Sequence, residues 1–457
     1  MKPSKSIFIC ASCGAQHPKW LGRCSDCGAW NSISEEMASP ATSRGPLPAS
    51  GRKASITPIH QVEQREEKRI LTGIGELDRV LGGGLVPGSL MLLSGDPGIG
   101  KSTLLLQALH ALAKKGHKVL YASGEESSQQ IRLRAERLDT VHPNILLTNE
   151  NDIDSVLDGT RATKPHVLVV DSIQTVFSPR FPNSPGSVTQ IRECTNMLLE
   201  PSKGQGITTF VIGHVTKEGA IAGPKMLEHL VDTVMHLEGD AASGYRILRS
   251  VKNRFGSTGE IGVFTMHGTG LAEVQNPSSL FLEGHKKGVS GSAVAVCMEG
   301  SRPLLVEVQA LVGRSNLAMP RRVVTGLDSS RITILVAVLE KHGGLNFSTN
   351  DIYASVAGGL KLGEPALDLA VTVAVASSHR DKALPGRFAY IGEVGLSGEI
   401  RACPHVVARV SEAQKMGFDR AYVPSRNWRN ERSHIATAAQ DMQIVPVEHL
   451  RDALSFE

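Results

Sequence analysis

The sequence predicts an α/β chain: a core built on a phosphate-binding loop, preceded by a four-cysteine metal module and followed by a mixed α+β domain. Three observations carry this. From Leu71 to about Gly270 short apolar runs alternate with helical patterns, Gly95 to Ser102 spell a phosphate-loop motif directly behind one of those runs, and four of the seven cysteines crowd into the first 27 residues.

At 457 residues the chain is long enough for about three domains of ordinary size. Residues 1–35 are read as the metal module. Residues 36–66 place Pro40, Pro46, Pro48 and Pro58 among Ser, Gly and charged residues, a composition that buries too little apolar surface to fold, and are read as a linker. Residues 67–274 form the α/β core. Its buried strands are expected at Leu90–Leu93, Val119–Ala122, Ile145–Leu147, Val167–Val170 and Thr208–Ile212, with Tyr245–Val251 and Gly262–Met266 as an appended hairpin. Residues 275–457 form the last domain.

With 41% hydrophobic and 21% charged residues and no uninterrupted apolar run of ten, the chain has no membrane-spanning segment. Met1–Ala11 holds only the short run Ile7–Cys10, too little for a signal peptide, so a cytoplasmic protein is expected. The net charge of 49 − 45 = +4 permits a polyanionic partner without demanding one.

Cys10 and Cys13 form one Cys-x-x-Cys pair, Cys24 and Cys27 a second, and each pair is followed by glycine. A two-residue spacer turns both sulfurs toward one ion, and four thiolates suit tetrahedral Zn²⁺. A redox dithiol would need one pair opening a helix in a larger fold, a context that is missing. Four protein ligands leave no open position, so the metal is structural and supplies much of the module's folding energy.

Gly95-Asp96-Pro97-Gly98-Ile99-Gly100-Lys101-Ser102 matches G-x-x-x-x-G-K-[ST], follows the Leu90–Leu93 strand and opens the helix Ser102–Lys115, which Gly116 can cap. Together with Thr103 these residues are the expected ATP site: backbone N–H groups wrap the phosphates, Lys101 reaches the β and γ phosphates, and the Ser102 hydroxyl holds Mg²⁺. Asp171, ending the strand Val167–Val170, is placed to hold Mg²⁺ through water, with a helix cap as the plainer alternative. Glu125 and Glu126 follow Val119–Ala122 through a Ser-Gly turn, and at least one is expected to polarise the attacking water. The other fits a helix N-terminus equally well.

Gly73-Ile74-Gly75-Glu76-Leu77-Asp78-Arg79-Val80-Leu81-Gly82-Gly83-Gly84 resembles the entry segment of RecA-like ATPases. Lys252-Asn253-Arg254-Phe255-Gly256 resembles the signature pentapeptide of the RadA (Sms) family of bacterial DNA repair proteins, and Gly363–Ala370 and Gly392–Ile400 resemble the Lon protease domain. The resemblance spans essentially the whole chain. It implies a RecA-like ATPase core with a zinc module and a Lon-protease-like C-terminal domain. It further implies an ATP-driven, DNA-stimulated motor for recombination and the response to DNA damage. That motor promotes branch migration on single-stranded and branched DNA as a hexameric homo-oligomer similar to DnaB-type helicases, alongside a RecA-type recombinase.

Within that resemblance, Lys252 and Arg254 are expected to complete the neighbouring subunit's ATP site. With a period of two both project to one side of the strand and Asn253 to the other, although contact with DNA or solvent at a hairpin turn accounts for them as well. Two loops fit a DNA-facing role. The stretch from Ser178 to Arg192 carries Arg180 and Arg192, and the glycine-rich stretch from Lys217 to Lys225 has those lysines at its ends. His214 is a candidate relay from the γ phosphate to the second loop, with a plain local hydrogen bond as its alternative.

In the Lon-like segment the nucleophilic serine is replaced by Ala366, and the lysine expected near Pro404-His405-Val406-Val407 is missing, so no peptidase activity is expected. Arg380 to Arg432 hold ten Lys or Arg against six Asp or Glu, a modest excess that suits duplex phosphates or an ordinary solvated face. An ATP-dependent protease is thus denied its nucleophile. A KaiC-like signalling ATPase gives no reason for the four cysteines or for Lys252–Gly256.

Overall fold

A small antiparallel sheet comes first: β1 (Ser6–Cys10), β2 (Gln16–His17) and β3 (Ile33–Met37), paired in the order β2-β1-β3. Its apolar core is only Cys10, Cys24 and Ile33, with Phe8, Ala15 and Leu21 packed on it. The structure is a computed structural model that describes residues 6–10, 15–26, 28–37, 58, 60, 68–214, 224–239, 244–284, 288–317 and 319–455. The chain divides into two units, residues 1–273 and 274–457.

The larger part of the first unit runs α1 (Gly75–Val80), β4 (Leu90–Gly95), α2 (Lys101–Lys114), β5 (Val119–Ser123), α3 (Ser128–Arg137), β6 (Ile145–Thr148), α4 (Ile153–Thr163), β7 (Val167–Asp171), α5 (Val188–Leu199), β8 (Thr208–His214), α6 (Pro224–Leu230), β9 (Thr233–Glu238), β10 (Tyr245–Asn253), β11 (Ile261–His267) and β12 (Gly270–Glu273). The strands form one sheet in the order β12-β11-β10-β9-β4-β8-β7-β5-β6, parallel from β9 to β6 and antiparallel from β9 to β12.

Period-two alternation splits the apolar strand residues between two cores. Met91, Leu93, Tyr121, Val169 and Phe210 pack under α1, α2 and α3, while Leu90, Leu92, Leu120, Val170 and Val211 pack under α4, α5 and α6. The five parallel strands predicted from apolar runs are present, each reaching one or two residues further at its C-terminal end. Strand β9 was not predicted. It lies between β4 and the hairpin, and its alternating Thr233, His236 and Glu238 dilute the apolar signal.

The second unit runs α7 (Pro277–Phe281), β13 (Ser292–Glu299), β14 (Arg302–Arg314), β15 (Arg322–Thr325), α8 (Ser329–Gly343), β16 (Asn350–Val356), α9 (Asp368–Arg380), β17 (Phe388–Tyr390), β18 (Glu393–Val394), β19 (Ile400–Arg401), α10 (Val406–Lys415), β20 (Arg420–Pro424), α11 (Ser425–Ala439), β21 (Gln443–Val447) and α12 (Leu450–Ala453). Its mixed sheet has the order β15-β16-β14-β13-β17-β20-β21. Residues Asp368–Ser377 of α9 are all buried, because the helix lies between the sheet and α8 and α12, which accounts for its apolar run. On the other face α10 and α11 cover Val294, Val296, Ala389 and Ala421.

Candidate nucleotide site and metal module

The phosphate loop joins β4 to α2. A Cβ on Gly95 would fall 2.3 Å from the Leu237 carbonyl oxygen of β9, so the strand can pass its neighbour there only as glycine. Lys101 opens α2 and turns its ammonium back onto the loop, donating to Gly95 O at 2.8 Å and Asp96 O at 2.9 Å and reaching His214 Nδ1 at 3.1 Å. Burial holds its pKa below the ordinary lysine value, opposed by Asp171, Glu125 and Asp96. Arg246 of β10, buried, donates from Nε to the Ile99 carbonyl at 3.0 Å and braces the loop from the side.

Asp171 is the last residue of β7 and stands beside α2. Its Oδ2 accepts from Ser102 Oγ at 2.8 Å and from the Tyr121 hydroxyl. A carboxylate next to the loop hydroxyl is the oxygen donor pair that Mg²⁺ favours. Donor atoms of Asp171, Glu125 and His214 lie within 4.8 Å of one another.

Glu125 and Glu126 part company. Glu125 Oε1 accepts from Ser172 Oγ at 2.5 Å and sits 2.9 Å from His214 Nε2, and the His214 hydrogen bond is the main reason its pKa lies below the usual carboxylate value. Glu126 pairs instead with Arg134 on α3, while its N–H donates to Ser123 Oγ at 3.0 Å. His214 therefore bridges Lys101 and Glu125. If Nδ1 accepts from the ammonium, Nε2 carries the proton toward the carboxylate, which fixes the neutral tautomer.

In the small sheet, Cys10 N–H donates to Ala15 O and Cys24 N–H to Ala29 O, both at 2.9 Å, so the two cysteines are held by equivalent bonds. Both thiols are buried. Cys13 and Cys27 lie outside the described residues. His17, which sequence reasoning passed over, places Nε2 3.5 Å from Cys24 Sγ and 3.9 Å from Asp26 Oδ2. Equivalent bonds and buried sulfurs fit a thiolate-bound Zn²⁺.

The family model described as AAA domain matches residues 59–220, the Rubredoxin metal binding domain model residues 8–35, and the model for subunit ChlI of Mg-chelatase residues 313–427. The DNA repair protein RadA of Bacillus subtilis is 47% identical over 99% of both chains. That of Streptococcus pyogenes serotype M1 is 50% identical over 93% of both. The chain belongs to the RadA family of DNA repair proteins. A solved structure described as the RadB recombinase is 24% identical, covers 45% of this chain and 99% of its own, and has a TM-score of 0.37. The RadA-family chain thus combines a RecA-like ATPase core, a zinc ribbon and a Lon-like C-terminal domain.

The RadA pentapeptide begins in the last two residues of β10 and continues past its end. Lys252 Nζ donates to the carbonyls of Glu228 and Val231, the latter at 2.8 Å, and burial holds its pKa below the ordinary value. Arg254 Nη1 lies 3.3 Å from Asp232 Oδ1, with about half of its side chain exposed. Asn253 turns the other way, donating to Val80 O at 3.4 Å and accepting from Phe255 N at 2.9 Å.

Of the residues expected to face DNA, Arg180 pairs with Asp154. The loop placement of Arg192 is corrected: α5 begins at Val188, capped by Ser187, so Arg192 belongs to a helix, and it pairs with Glu193 at 2.7 Å. Gln190 drives this, its amide donating to the carbonyls of Ser178, Phe181 and Asn183. Lys217 and the side chain of Lys225 lie outside the described residues. Ala366 is buried in the C-terminal core, 3% exposed, so the position of the Lon nucleophile is closed as well as inert.

Proposed function

We propose that this chain is a DNA-stimulated ATPase that translocates on single-stranded and branched DNA in recombinational repair, promoting branch migration as a DnaB-like hexameric ring beside a RecA-type recombinase in the cytoplasm. The placement of Lys252 and Arg254 carries the reading. Asn253 pairs with Thr233 and Thr233 with Met91, whereas the phosphate loop begins four residues along β4, where Gly95 pairs with Leu237. Four residues of strand span about 13 Å. The two cations therefore stand at the other end of β4 from their own phosphates, and a site on a neighbouring copy gives them a γ phosphate to meet, which calls for a head-to-tail ring.

In the catalytic step the loop N–H groups and Lys101 hold the phosphates, and Ser102 and Asp171 would hold Mg²⁺, which would supply charge neutralisation at the phosphates. Glu125 orients the attacking water while His214 keeps it aligned with Lys101. Lys252 and Arg254 of the adjoining copy stabilise the charge that develops on the transferred group. Cys10, Cys13, Cys24 and Cys27 hold one Zn²⁺. Arg180, Arg192, Lys217 and Lys225 turn to DNA phosphates, the first two by exchanging their carboxylates, which makes affinity fall with salt at a slope of roughly −0.7 per contact on single strands.

Hydrolysis measured with and without single-stranded DNA tests the motor. Stimulation is expected, and a rate indifferent to DNA sinks it in favour of a signalling ATPase. Zinc analysis giving no metal sinks the thiolate site. No peptidase activity accompanies the motor, because Ala366 supplies no nucleophile.

A further inference from the structure

Between the predicted linker and α1 stands a side chain that neither motif claims. Arg69 donates from Nη1 to the carbonyl oxygens of Leu81, at 3.3 Å, and Gly82, and from Nη2 to that of Phe255 at 2.5 Å. Leu81 and Gly82 belong to the glycine turn that ends α1, while Phe255 belongs to the pentapeptide. The two turns also touch directly: a Cβ on Gly256 would fall 3.0 Å from Gly82 Cα, and one on Gly82 would fall 3.1 Å from Gly256 Cα. Neither glycine can take a side chain without parting them. A guanidinium, with five N–H donors in a rigid fork and no acceptor, suits a cluster of carbonyls that face one another across such a seam.

Two N–H groups of the turn are held from the residue before β9 and from the end of β10, Arg254 N–H by Asp232 O at 3.1 Å and Phe255 N–H by Asn253 Oδ1 at 2.9 Å. The Phe255 carbonyl, which directly follows Arg254, is held by Arg69. We propose that Arg69 is a positioning residue for the trans-acting cations: it pins the Lys252–Gly256 turn against the glycine turn, and so fixes where Arg254 and Lys252 leave the subunit. The proposal rests on the reading that those cations serve a neighbour's ATP. Arg69 reaches none of the residues around its own Lys101, since its hydrogen bonds lie at the opposite end of β4.

An interaction made with the transferred phosphoryl group only from across a boundary helps the transition state more than ground-state binding. Arg69→Ala is therefore expected to lower kcat at least tenfold with the affinity for a fluorescent ATP analogue unchanged, and Arg69→Lys, which keeps a donor for some of the carbonyls, to fall between it and the parent. Loss of ATP affinity in both variants overturns the proposal, because it places Arg69 in the support of its own site.

The deciding measurement is mixing. Arg69→Ala chains keep their phosphate-loop lysine and Lys101→Ala chains keep an intact turn, so random co-assembly restores roughly a quarter of the boundaries. ATPase activity should recover from two inactive preparations, as it should when Arg254→Ala is mixed with Lys101→Ala. Recovery with Arg254→Ala but not with Arg69→Ala overturns the role of Arg69 and leaves the trans reading standing. Failure of both mixtures, with co-assembly demonstrated by cross-linking, overturns the trans reading and this proposal together.

Discussion

The hydroxyl of Tyr121 donates its hydrogen bond to Asp171 from a side chain with no exposed surface. Ser102 donates to the same oxygen, Oδ2, so the two donors fix the carboxylate. Tyr121→Phe keeps the packing and removes one anchor. A hydrogen bond to a charged group is worth about 1.5–3 kcal/mol, of which a part is lost on metal binding. The concentration of Mg²⁺ or Mn²⁺ that half-saturates binding of a fluorescent nucleotide should rise several-fold, with metal-free nucleotide binding unchanged. An unaltered metal titration would show that Asp171 holds its place without the phenol.

The two glutamates after β5 should separate in the same way in solution. Glu125→Gln keeps the shape of the cluster but removes the charge that His214 and Ser172 hold, and should cost about 10²–10⁴ in hydrolysis while ATP still binds. Glu126→Gln breaks a partly exposed pair with Arg134, worth about 0–1 kcal/mol, and should leave hydrolysis within a few-fold. Equal losses in single-turnover assays would contradict the assignment.

What could be read in advance was local in sequence. The phosphate loop, Asp171 behind four β-type residues and the paired cysteines each announce themselves within a few positions, and the apolar runs mark the parallel strands. What escaped depends on distant meetings. Tyr121 reads as one more β-type core residue until Asp171, fifty positions on, takes its hydroxyl. Arg69 reads as a stray charge at the start of the core until the chain returns at Phe255. Arg192 reads as part of a loop because the Ser187 cap and the amide of Gln190, which set the start of α5, carry no apolar signal. The division between Glu125 and Glu126 is undecidable from spacing, because it depends on Ser172 and His214 reaching the first and Arg134 of α3 the second.

Lys101 makes a prediction about protons. Without nucleotide, burial lowers its pKa, so as pH rises it gives up its proton earlier than an ordinary lysine. Bound phosphates favour the charged form and raise it again. ATP binding should then take up protons in the window between the lowered and the raised pKa, and affinity should weaken as pH rises through the lowered one. For stability alone the sign is the reverse: a depressed lysine disfavours the folded state while protonated, and that penalty fades as pH rises through the window. Calorimetry in buffers of different ionisation enthalpy detects the uptake, and Lys101→Met should abolish it. Binding heats independent of buffer would refute it.

In the C-terminal domain, Arg409 of α10 is wholly buried and pairs with Glu364, two residues before the closed position Ala366. The arginine also donates to Val296 O at 2.5 Å and Pro404 O at 3.1 Å, and Glu364 accepts from Met298 N at 2.8 Å, so the pair ties α10 and β13 to the start of α9. Removing one member of such a pair leaves the other uncompensated, at about 3–5 kcal/mol, whereas replacing both by apolar groups is often neutral. The two single losses should differ here. Glu364→Ala strands a cation without access to water and should cost most, while Arg409→Met leaves Glu364, about a fifth exposed, free to hydrate. Combining Glu364→Leu with Arg409→Met should recover much of the loss. Denaturant unfolding followed on the transition of this domain measures all three, and a Glu364→Ala chain within about 1 kcal/mol of the parent would show the pair to be incidental to the fold.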